Sequence, residues 1–166
     1  MCLADDMLVY TQISLNKEFR MFYEPIDIRK IVNNIKNIMK SKAKGRKIQL
    51  ITKYCSGLED TFCTEPQRLK QVLFNLVGNA IKFTFDGYVK IEVDSIYIKS
   101  KKCLKISVKD TGIGMTKKSM SRVFRMFQII ENQKGNKSGT GLGLYISKQI
   151  VKRLTIEGNE GLRVES

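Results

Sequence analysis

The sequence Asp110-Thr111-Gly112-Ile113-Gly114-Met115 is the first of two glycine-rich stretches in this chain, and the second is Gly139-Thr140-Gly141-Leu142-Gly143-Leu144. Glycines allow a backbone to approach a ligand closely or to adopt positive φ angles. The second stretch runs into a segment with helical apolar spacing, so its amides are expected at a helix N-terminus, where phosphate is favoured. Together with Asn75, Asn79 and Lys82 on an upstream helix, these stretches favour a site for ATP.

The composition indicates one domain with ordinary thiol chemistry. The chain has 166 residues, of which 42% are hydrophobic, enough for one well-buried core. Its four cysteines form no CxxC pair, and no histidine is present to complete a zinc site. We therefore expect neither a disulfide nor a structural metal. The first 17 residues lack the pattern of a signal peptide, and no apolar run is long enough to cross a membrane, which predicts a cytoplasmic protein.

The net charge of +14 raises the alternative of a nucleic-acid-binding protein. Basic residues cluster around residues 40–47 and 99–102, but no known nucleic-acid-binding motif accompanies them. Solvated faces, or docking surfaces for an acidic protein, are the favoured interpretation of this charge. Nucleic acid stays a minority alternative.

The first half of the chain is predicted to form two helices and two strands. One helical stripe consists of Leu3, Met7 and Tyr10, and an alternating segment around residues 19–23 predicts a strand that ends at Pro25. Asp27 is the predicted N-cap of a second helix that ends near Gly45 and carries Ile28, Ile31, Ile35 and Ile38. The alternating residues Ile48, Leu50, Thr52 and Tyr54 predict the second strand.

A central helix is predicted to begin with a capping box, in which Thr64 is the N-cap and Gln67 its partner, with Pro66 in the first turn. One arc of this helix is apolar: Leu69, Val72, Leu73, Leu76 and Ala80. Another arc is polar: Arg68, Gln71, Asn75, Asn79 and Lys82. The polar arc could be solvated surface, as most polar helix faces are. Two asparagines four residues apart could instead use their side-chain carbonyls to hold a hydrated Mg²⁺.

Two alternating strands follow a turn at Asp86-Gly87, and a lysine-rich turn joins them. The second of these strands ends at Asp110. Its carboxylate could accept a hydrogen bond from the amino group of a ligand, or it could cap the turn that follows. The local sequence leaves both interpretations open.

Four segments resemble, in order, the asparagine, first glycine, phenylalanine and second glycine boxes of the catalytic ATP-binding domain of sensor histidine kinases, especially hybrid kinases. They are residues 65–84, residues 110–115, Phe124 with Phe127, and residues 139–144. This family belongs to a wider group that includes gyrase, Hsp90 and MutL. The resemblance extends from about residue 3 to residue 165, and residues 6–13 look like the end of the second helix of the family's dimerisation hairpin.

The resemblance implies an α/β fold, in which a mixed, mostly antiparallel sheet packs on three helices as a two-layer sandwich (the Bergerat-type ATP-binding fold), with an N-terminal helical stub. It divides the chain into residues 1–17, the hairpin end and linker, and residues 18–166, the catalytic domain without its closing strand. Residues 116–138 would form a mobile lid over the nucleotide. The cofactors it implies are ATP and Mg²⁺.

The family's functional residues map onto this chain box by box. Asp110 would bind the adenine amino group, Asn79 would ligate Mg²⁺, and Asn75 would assist at the metal or the phosphates. Lys82 would touch phosphate, so that Asn75 and Lys82 are the catalytic candidates, and Phe83 would flank the base. The remaining residues implied at the nucleotide site are Gly112, Gly114, Met115, Phe124, Phe127, Gly139, Thr140, Gly141, Leu142, Gly143 and Leu144.

Position 75 bears on the type of reaction. Relatives that hydrolyse ATP have a glutamate one helical turn before the metal-binding asparagine, where it can activate water as a general base. Asn75 cannot accept a proton. The resemblance therefore favours phosphoryl transfer to a histidine, since imidazole is already a nucleophile.

Three departures from the family pattern qualify this interpretation. The chain lacks histidine, so the phosphoacceptor must come from elsewhere. Residues 162–166 look like a further strand, but the family's closing strand does not follow. Glu65 and Thr64 replace the family's usual aspartate and glycine, a change that keeps the predicted capping box.

The sequence thus predicts the ATP-binding domain of a histidine kinase that acts in two-component signalling. Its expected partners are a dimerisation domain that carries a histidine and a receiver domain, with a homodimer in the full-length protein, which could itself be membrane-anchored. No nucleic-acid partner is expected. The alternative from another class is a non-catalytic nucleotide-binding or scaffold module that retains the fold.

Overall fold

The computed structural model describes residues 21–126, 141–155 and 161–166, together with Met7 and Thr11, which are helical. The predicted N-terminal helix otherwise lies outside the described residues, as do Phe127, Gly139, Thr140 and most of the predicted lid. The chain divides into two compact units. The central unit is Tyr23–Gly114, and the terminal unit combines Met1–Phe22 with Met115–Ser166.

The central unit contains five strands in two sheets: β1 (Glu24–Ile26), β2 (Ile48–Tyr54), β3 (Phe62–Thr64), β4 (Gly87–Ile98) and β5 (Lys101–Asp110). β1 pairs antiparallel with β3. The other sheet has the order β2-β4-β5, in which β2 runs parallel to β4 and β5 antiparallel to it. The sheets are therefore mixed and mostly antiparallel, as predicted.

Two helices of the central unit, α1 (Ile28–Lys44) and α2 (Pro66–Phe83), pack with these strands around one hydrophobic core. The middle strand contributes three alternating residues with 0% to 2% exposure: Val89, Ile91 and Val93. Their neighbours on β4 point to the other face, which is the period-two pattern of a half-buried sheet. The core thus holds α2 against the sheet whose β5 strand ends at Asp110.

The predicted N-cap of α1 is confirmed. The Asp27 carboxylate accepts hydrogen bonds from the backbone N–H groups of Arg29 (2.9 Å) and Lys30 (3.2 Å). Of the four isoleucines noted on this helix, Ile28, Ile31 and Ile35 are buried, whereas Ile38 is 56% exposed and Met39 is buried instead. Met39 lies one helical turn after Ile35 on the core face, and Ile38 falls just outside that stripe.

Two predicted boundaries are also wrong. Residues 21–23 are not a strand, and β1 begins only at Glu24 and includes Pro25. Proline is tolerated there because β1 pairs with a single neighbour, β3, within the described sheet. Thr64 is not the N-cap of α2 but the last residue of β3. The N-cap is Glu65, whose carboxylate accepts a hydrogen bond from the Arg68 N–H, because pairing in β3 keeps Thr64 extended.

The predicted lysine-rich turn between β4 and β5 is confirmed. Lys99 and Ser100 both adopt positive φ angles, 47° and 63°. Two successive residues with positive φ are typical of the type I′ turn, whose twist matches that of the strands it joins. The turn therefore places β5 directly against β4, and Asp110 is the partner of Val89.

The terminal unit contains the short helix α3 (Lys117–Met120) and the longer α4 (Gly143–Leu154). The predicted strand at residues 162–166 is wrong, because residues 161–166 have no regular secondary structure. Alternating Leu162 and Val164 fit a strand, but a strand also needs a neighbour to take its backbone hydrogen bonds. Here the hydroxyl of Ser166 instead accepts a hydrogen bond from the Met115 N–H (2.6 Å).

On the outer face of the sheet, Lys90 and Lys109 lie directly opposite each other, a pairing of like charges that is unfavourable by itself. Glu92 offsets it, because its carboxylate contacts the ammonium groups of Lys90 (2.8 Å) and Lys109 (2.6 Å). Hydrogen bonds from Lys109 and Lys90 hold the pKa of Glu92 at about 2, below its ordinary value of 4.5.

We predict that Glu92→Gln lowers the free energy of unfolding by about 0.5–1 kcal/mol at neutral pH, the usual range for such ion pairs. Because the pKa is lower in the folded state, this stabilisation exists above pH 4.5 and is lost as the pH falls towards 2. Urea unfolding of both proteins between pH 2 and 7 measures the difference, with Asp60→Asn as the control for an exposed carboxylate. A difference independent of pH would contradict the assignment.

Candidate nucleotide-binding site

The C-terminal end of α2 is where the candidate site residues of the central unit meet. Carbonyl groups in the last turn of a helix lack donors within the helix. Here all four accept hydrogen bonds from groups outside the helix. Ala80 accepts from the N–H and hydroxyl of Thr84 (3.0 and 2.7 Å), and Phe83 accepts from the N–H of Ile113 (3.3 Å). Ile81 and Lys82 both accept from Nη1 of Arg46 (3.2 and 2.6 Å). These bonds join α2 to the α1–β2 turn and to the first glycine stretch.

Asn75 and Asn79 lie one turn apart on α2, and both are half-buried. The side-chain N–H of Asn79 donates to the side-chain carbonyl of Asn75 at 3.3 Å. This bond uses the amide nitrogen of Asn79, and the carbonyl oxygen of the same side chain takes no part in it. That oxygen is a hard, neutral ligand of the type Mg²⁺ accepts.

The donor set bears on which metal could bind. Among the described residues, no group of three or more histidine, cysteine, aspartate or glutamate side chains lies close enough together to hold an ion. A dedicated all-protein cage is therefore absent from this part of the chain. Mg²⁺ fits such a site, since it is commonly bound through one or two protein oxygens, retained waters and the phosphates of a substrate.

Lys82 lies in the last turn of α2, and its ammonium group is 4.7 Å from the centre of the Phe83 ring. Burial, together with the nearby charge of Arg46, lowers the pKa of the Lys82 ammonium group. A cation that is partly stripped of water binds an anion more strongly than a fully hydrated one. Lys82 is thus suited to an anion, and the phosphate contact that the resemblance implies for it stays a prediction.

Asp110 caps the turn that follows β5, because its Oδ1 accepts a hydrogen bond from the N–H of Gly112 at 2.9 Å. This confirms one of the two interpretations left open by the sequence. The other interpretation stays a prediction, which the geometry permits, because the side chain is exposed and Oδ2 takes no part in that bond. One carboxylate can therefore both fix the turn and receive a ligand amino group.

Gly112 is required by close approach rather than by its φ angle. A Cβ atom at this position would lie 2.6 Å from the carbonyl oxygen of Phe83 and 2.7 Å from Oδ1 of Asp110. Any side chain would push the first glycine stretch away from the end of α2. Gly114, two residues on, does adopt a positive φ of 67°. The structure thus explains why both positions are glycine, and their role in shaping a nucleotide pocket stays a prediction.

Thr111 is a positioning residue that the sequence did not single out. Its hydroxyl accepts a hydrogen bond from the N–H of Tyr88 (3.0 Å) and donates to the carbonyl of Asp86 (3.1 Å). The Thr111 side chain fills the space where Gly87, with φ 103°, would carry a Cβ. A sequence signal could have identified Thr111. It directly follows the aspartate that ends β5, and that strand pairs with the strand that begins at the Asp86-Gly87 turn.

In the terminal unit, the prediction that the second glycine stretch opens a helix is confirmed. Gly141 has a φ of 70°, Leu142 is the N-cap, and α4 begins at Gly143. Leu142 is fully buried and its alkyl side chain offers no acceptor to the first-turn amides. The amides from Gly143 through Leu144 are therefore suited to an anion.

The other candidates of the terminal unit are Met115 and Phe124, both half-buried. The ammonium group of Lys148 lies 4.8 Å from the centre of the Phe124 ring. A cavity of about 500 Å³ in this unit is lined by Phe124, Lys148, Lys152, Leu162, Arg163, Val164 and Glu165. It contains none of the central-unit candidates, so we do not assign it to the nucleotide.

Comparison with known proteins identifies the family. Residues 64–165 match the family described as histidine kinase-, DNA gyrase B- and HSP90-like ATPase. The chain belongs to this family. Over the part of the chain that is described, no helix has the length and apolar character needed to cross a bilayer.

Among its relatives, the signal transduction histidine-protein kinase BarA of Escherichia coli is 28% identical over 93% of this chain and 17% of BarA. Hybrid signal transduction histidine kinase K of Dictyostelium discoideum is 30% identical over 90% of this chain and 13% of its own length. The chain thus spans less than a fifth of these two proteins.

The crystal structure of full-length ShkA in complex with AMPPNP matches with a TM-score of 0.73 at 26% identity. It covers 90% of this chain and 30% of ShkA. The predicted α/β fold class is therefore confirmed, as is the predicted likeness to the catalytic ATPase domain of hybrid histidine kinases.

We predict that Asp110→Asn weakens ATP binding about tenfold or more. Asparagine keeps an acceptor for the Gly112 N–H but loses the second carboxylate oxygen that would accept from the adenine amino group. GTP has a carbonyl at that position of its base, so its binding should change little or improve. Calorimetric titration with both nucleotides measures the ratio, with Asp94→Asn on β4 as the charge control. Equal losses for ATP and GTP would remove Asp110 from the site.

Proposed function

We propose that this chain binds Mg-ATP and donates the γ-phosphoryl group to a histidine on a dimerisation domain that the chain does not contain. The observation that carries this proposal is the Asn75–Asn79 pair on α2, one turn before Lys82. It places a neutral amide carbonyl and a partly desolvated ammonium group on the same helix. Membership of the family supports the choice of ATP.

The chain's own residues would divide the work at the nucleotide. Asp110 would orient the adenine through Oδ2, while its Oδ1 keeps the turn at Gly112 in place. Lys82 would neutralise phosphate charge.

Asn79 would hold Mg²⁺ through its side-chain carbonyl, and Asn75 would orient the Asn79 amide through the 3.3 Å hydrogen bond between them. Mg²⁺ held there would supply positive charge that offsets the charge of the phosphates. The protein's part is therefore to fix one amide oxygen in place before the nucleotide arrives.

The residue at position 75 supports transfer over hydrolysis. Its amide cannot accept a proton from water, so the site lacks at this position the general base that hydrolysing relatives have. A histidine acceptor needs no such base, because a neutral imidazole nitrogen carries the lone pair that attacks phosphorus. Positioning and charge neutralisation then suffice.

The acceptor must come from another domain, since none of the 166 residues is a histidine. We assign residues 1–17 to the end of a dimerisation hairpin and its linker, and residues 18–166 to the catalytic domain. A homodimer of the full-length protein, a receiver domain as the next partner and a cytoplasmic location for this domain complete the proposal. The hybrid kinase among the relatives supports it.

The test is transfer of label from Mg-[γ-³²P]ATP to a separately supplied dimerisation hairpin that contains a histidine. The wild-type chain should produce acid-labile label on the hairpin. Asn79→Ala should reduce the rate at least about a hundredfold, the order of effect expected when a group that organises transition-state charge is removed. Asn37→Ala, which removes an exposed asparagine from α1, is the matched control and should label normally.

The outcomes separate the two candidate functions. Label that persists in Asn79→Ala would mean that a contaminating kinase is responsible. Saturable Mg-ATP binding without labelling of any of several hairpins would contradict the kinase and favour a non-catalytic scaffold module. Absence of ATP binding by the folded chain would contradict both.

A further inference from the structure

Arg46 stands apart from the basic residues around it because its side chain reaches a different element. It follows the last residues of α1, and its Nη1 donates to the carbonyl oxygens of Ile81 (3.2 Å) and Lys82 (2.6 Å). A guanidinium Nη carries two N–H groups in one plane, so a single nitrogen can serve two carbonyls. Lys44 and Lys47 are exposed, as Arg46 is, but of these three side chains it is Arg46 that donates to the end of α2.

These contacts stabilise the turn of α2 that carries two candidate ligand-binding side chains. The C-terminal end of a helix bears partial negative charge, and a cation there is favourable. Arg46 therefore opposes fraying of the segment that carries Lys82 and Phe83. The adjacent carbonyl, that of Phe83, accepts from the N–H of Ile113, so the first glycine stretch depends on the same turn.

The charge of Arg46 also acts on Lys82. Burial is the larger cause that lowers the pKa of the Lys82 ammonium group, and the positive charge of Arg46 is the second. Two cations held near each other at the end of one helix repel each other, and an anion placed between them relieves that repulsion. A polyanion bound at this end of α2 would offset the repulsion between Arg46 and Lys82.

We propose that Arg46 is a positioning residue of the nucleotide site. It fixes the last turn of α2, and through it Lys82, Phe83 and the backbone at Gly112–Ile113, in the arrangement that receives the triphosphate and the base. This inference rests on the proposed function and adds to it a residue outside the four sequence boxes. The simpler alternative is that Arg46 is a helix cap that contributes to stability alone.

Three measurements on Arg46→Gln and on the control Lys44→Gln distinguish these possibilities. Lys44→Gln removes the same charge two residues away, from a side chain that is exposed in the last turn of α1. Calorimetry well below the melting temperature gives the affinity for Mg-ATP. Amide hydrogen exchange reports the order of residues 81–84 in the nucleotide-free protein. Titration of the Lys82 side chain by NMR gives its pKa.

For Arg46→Gln we expect Mg-ATP affinity to fall about tenfold, which corresponds to ~1.4 kcal/mol. Exchange of the Phe83 and Thr84 amides should become faster, because the last turn of the helix opens more often. The pKa of Lys82 should rise once the neighbouring charge is removed. Arg46→Lys should bind with intermediate affinity, since it restores the charge without the planar pair of donors. Lys44→Gln should resemble the wild type in all three measurements.

Three results would overturn the proposal. If Arg46→Gln lowers the melting temperature but binds Mg-ATP like the wild type, Arg46 is only a helix cap. If Lys44→Gln loses as much affinity as Arg46→Gln, the effect comes from net charge. Should the wild type itself fail to bind Mg-ATP, the proposed function fails, while unchanged amide exchange and an unchanged Lys82 pKa in Arg46→Gln would separately refute the positioning role.

Discussion

The hydrogen bonds made by the four carbonyl groups at the end of α2 are the constraint on which the central unit depends. A buried or half-buried carbonyl without a donor costs about 1–3 kcal/mol, so the end of this helix has to be capped from elsewhere. The donors come from Arg46, Thr84 and Ile113. The same contacts that satisfy the helix therefore bring together the asparagine-bearing helix, the α1–β2 turn and the first glycine stretch.

This arrangement explains why the candidate ligand groups lie where they do. Phe83 stands at the point of contact with Gly112, where no side chain would fit, and the Asp110 carboxylate is held by the Gly112 N–H. Asn79 lies one turn before Lys82 on the same helix, so its distance from the capped end is set by helical geometry. The relative positions of these candidate side chains therefore follow from how one helix ends.

Local patterns predicted much of this fold. The structure confirms four predictions that each depend on a few adjacent residues: the Asp27 cap, the alternation of β2, the lysine-rich turn and the start of α4.

The predictions that were wrong depend on contacts between residues distant in the sequence. Thr64 had the side chain of an N-cap, but pairing with Glu24 keeps it in β3. Residues 162–166 had strand alternation without a partner strand. Arg46 and Thr111 act through contacts 35 and 23 residues away, which no local pattern reveals.

The most direct test of this account is a crystal structure of the chain with Mg²⁺ and a non-hydrolysable ATP analogue. We expect the side-chain oxygen of Asn79 at about 2.1 Å from the metal. Oδ2 of Asp110 should lie within hydrogen-bonding distance of the adenine amino group. Arg46 should still donate to the carbonyls of Ile81 and Lys82. Nucleotide bound instead in the cavity beside Phe124 and Lys148, with Asn79 and Asp110 in contact with solvent, would contradict it.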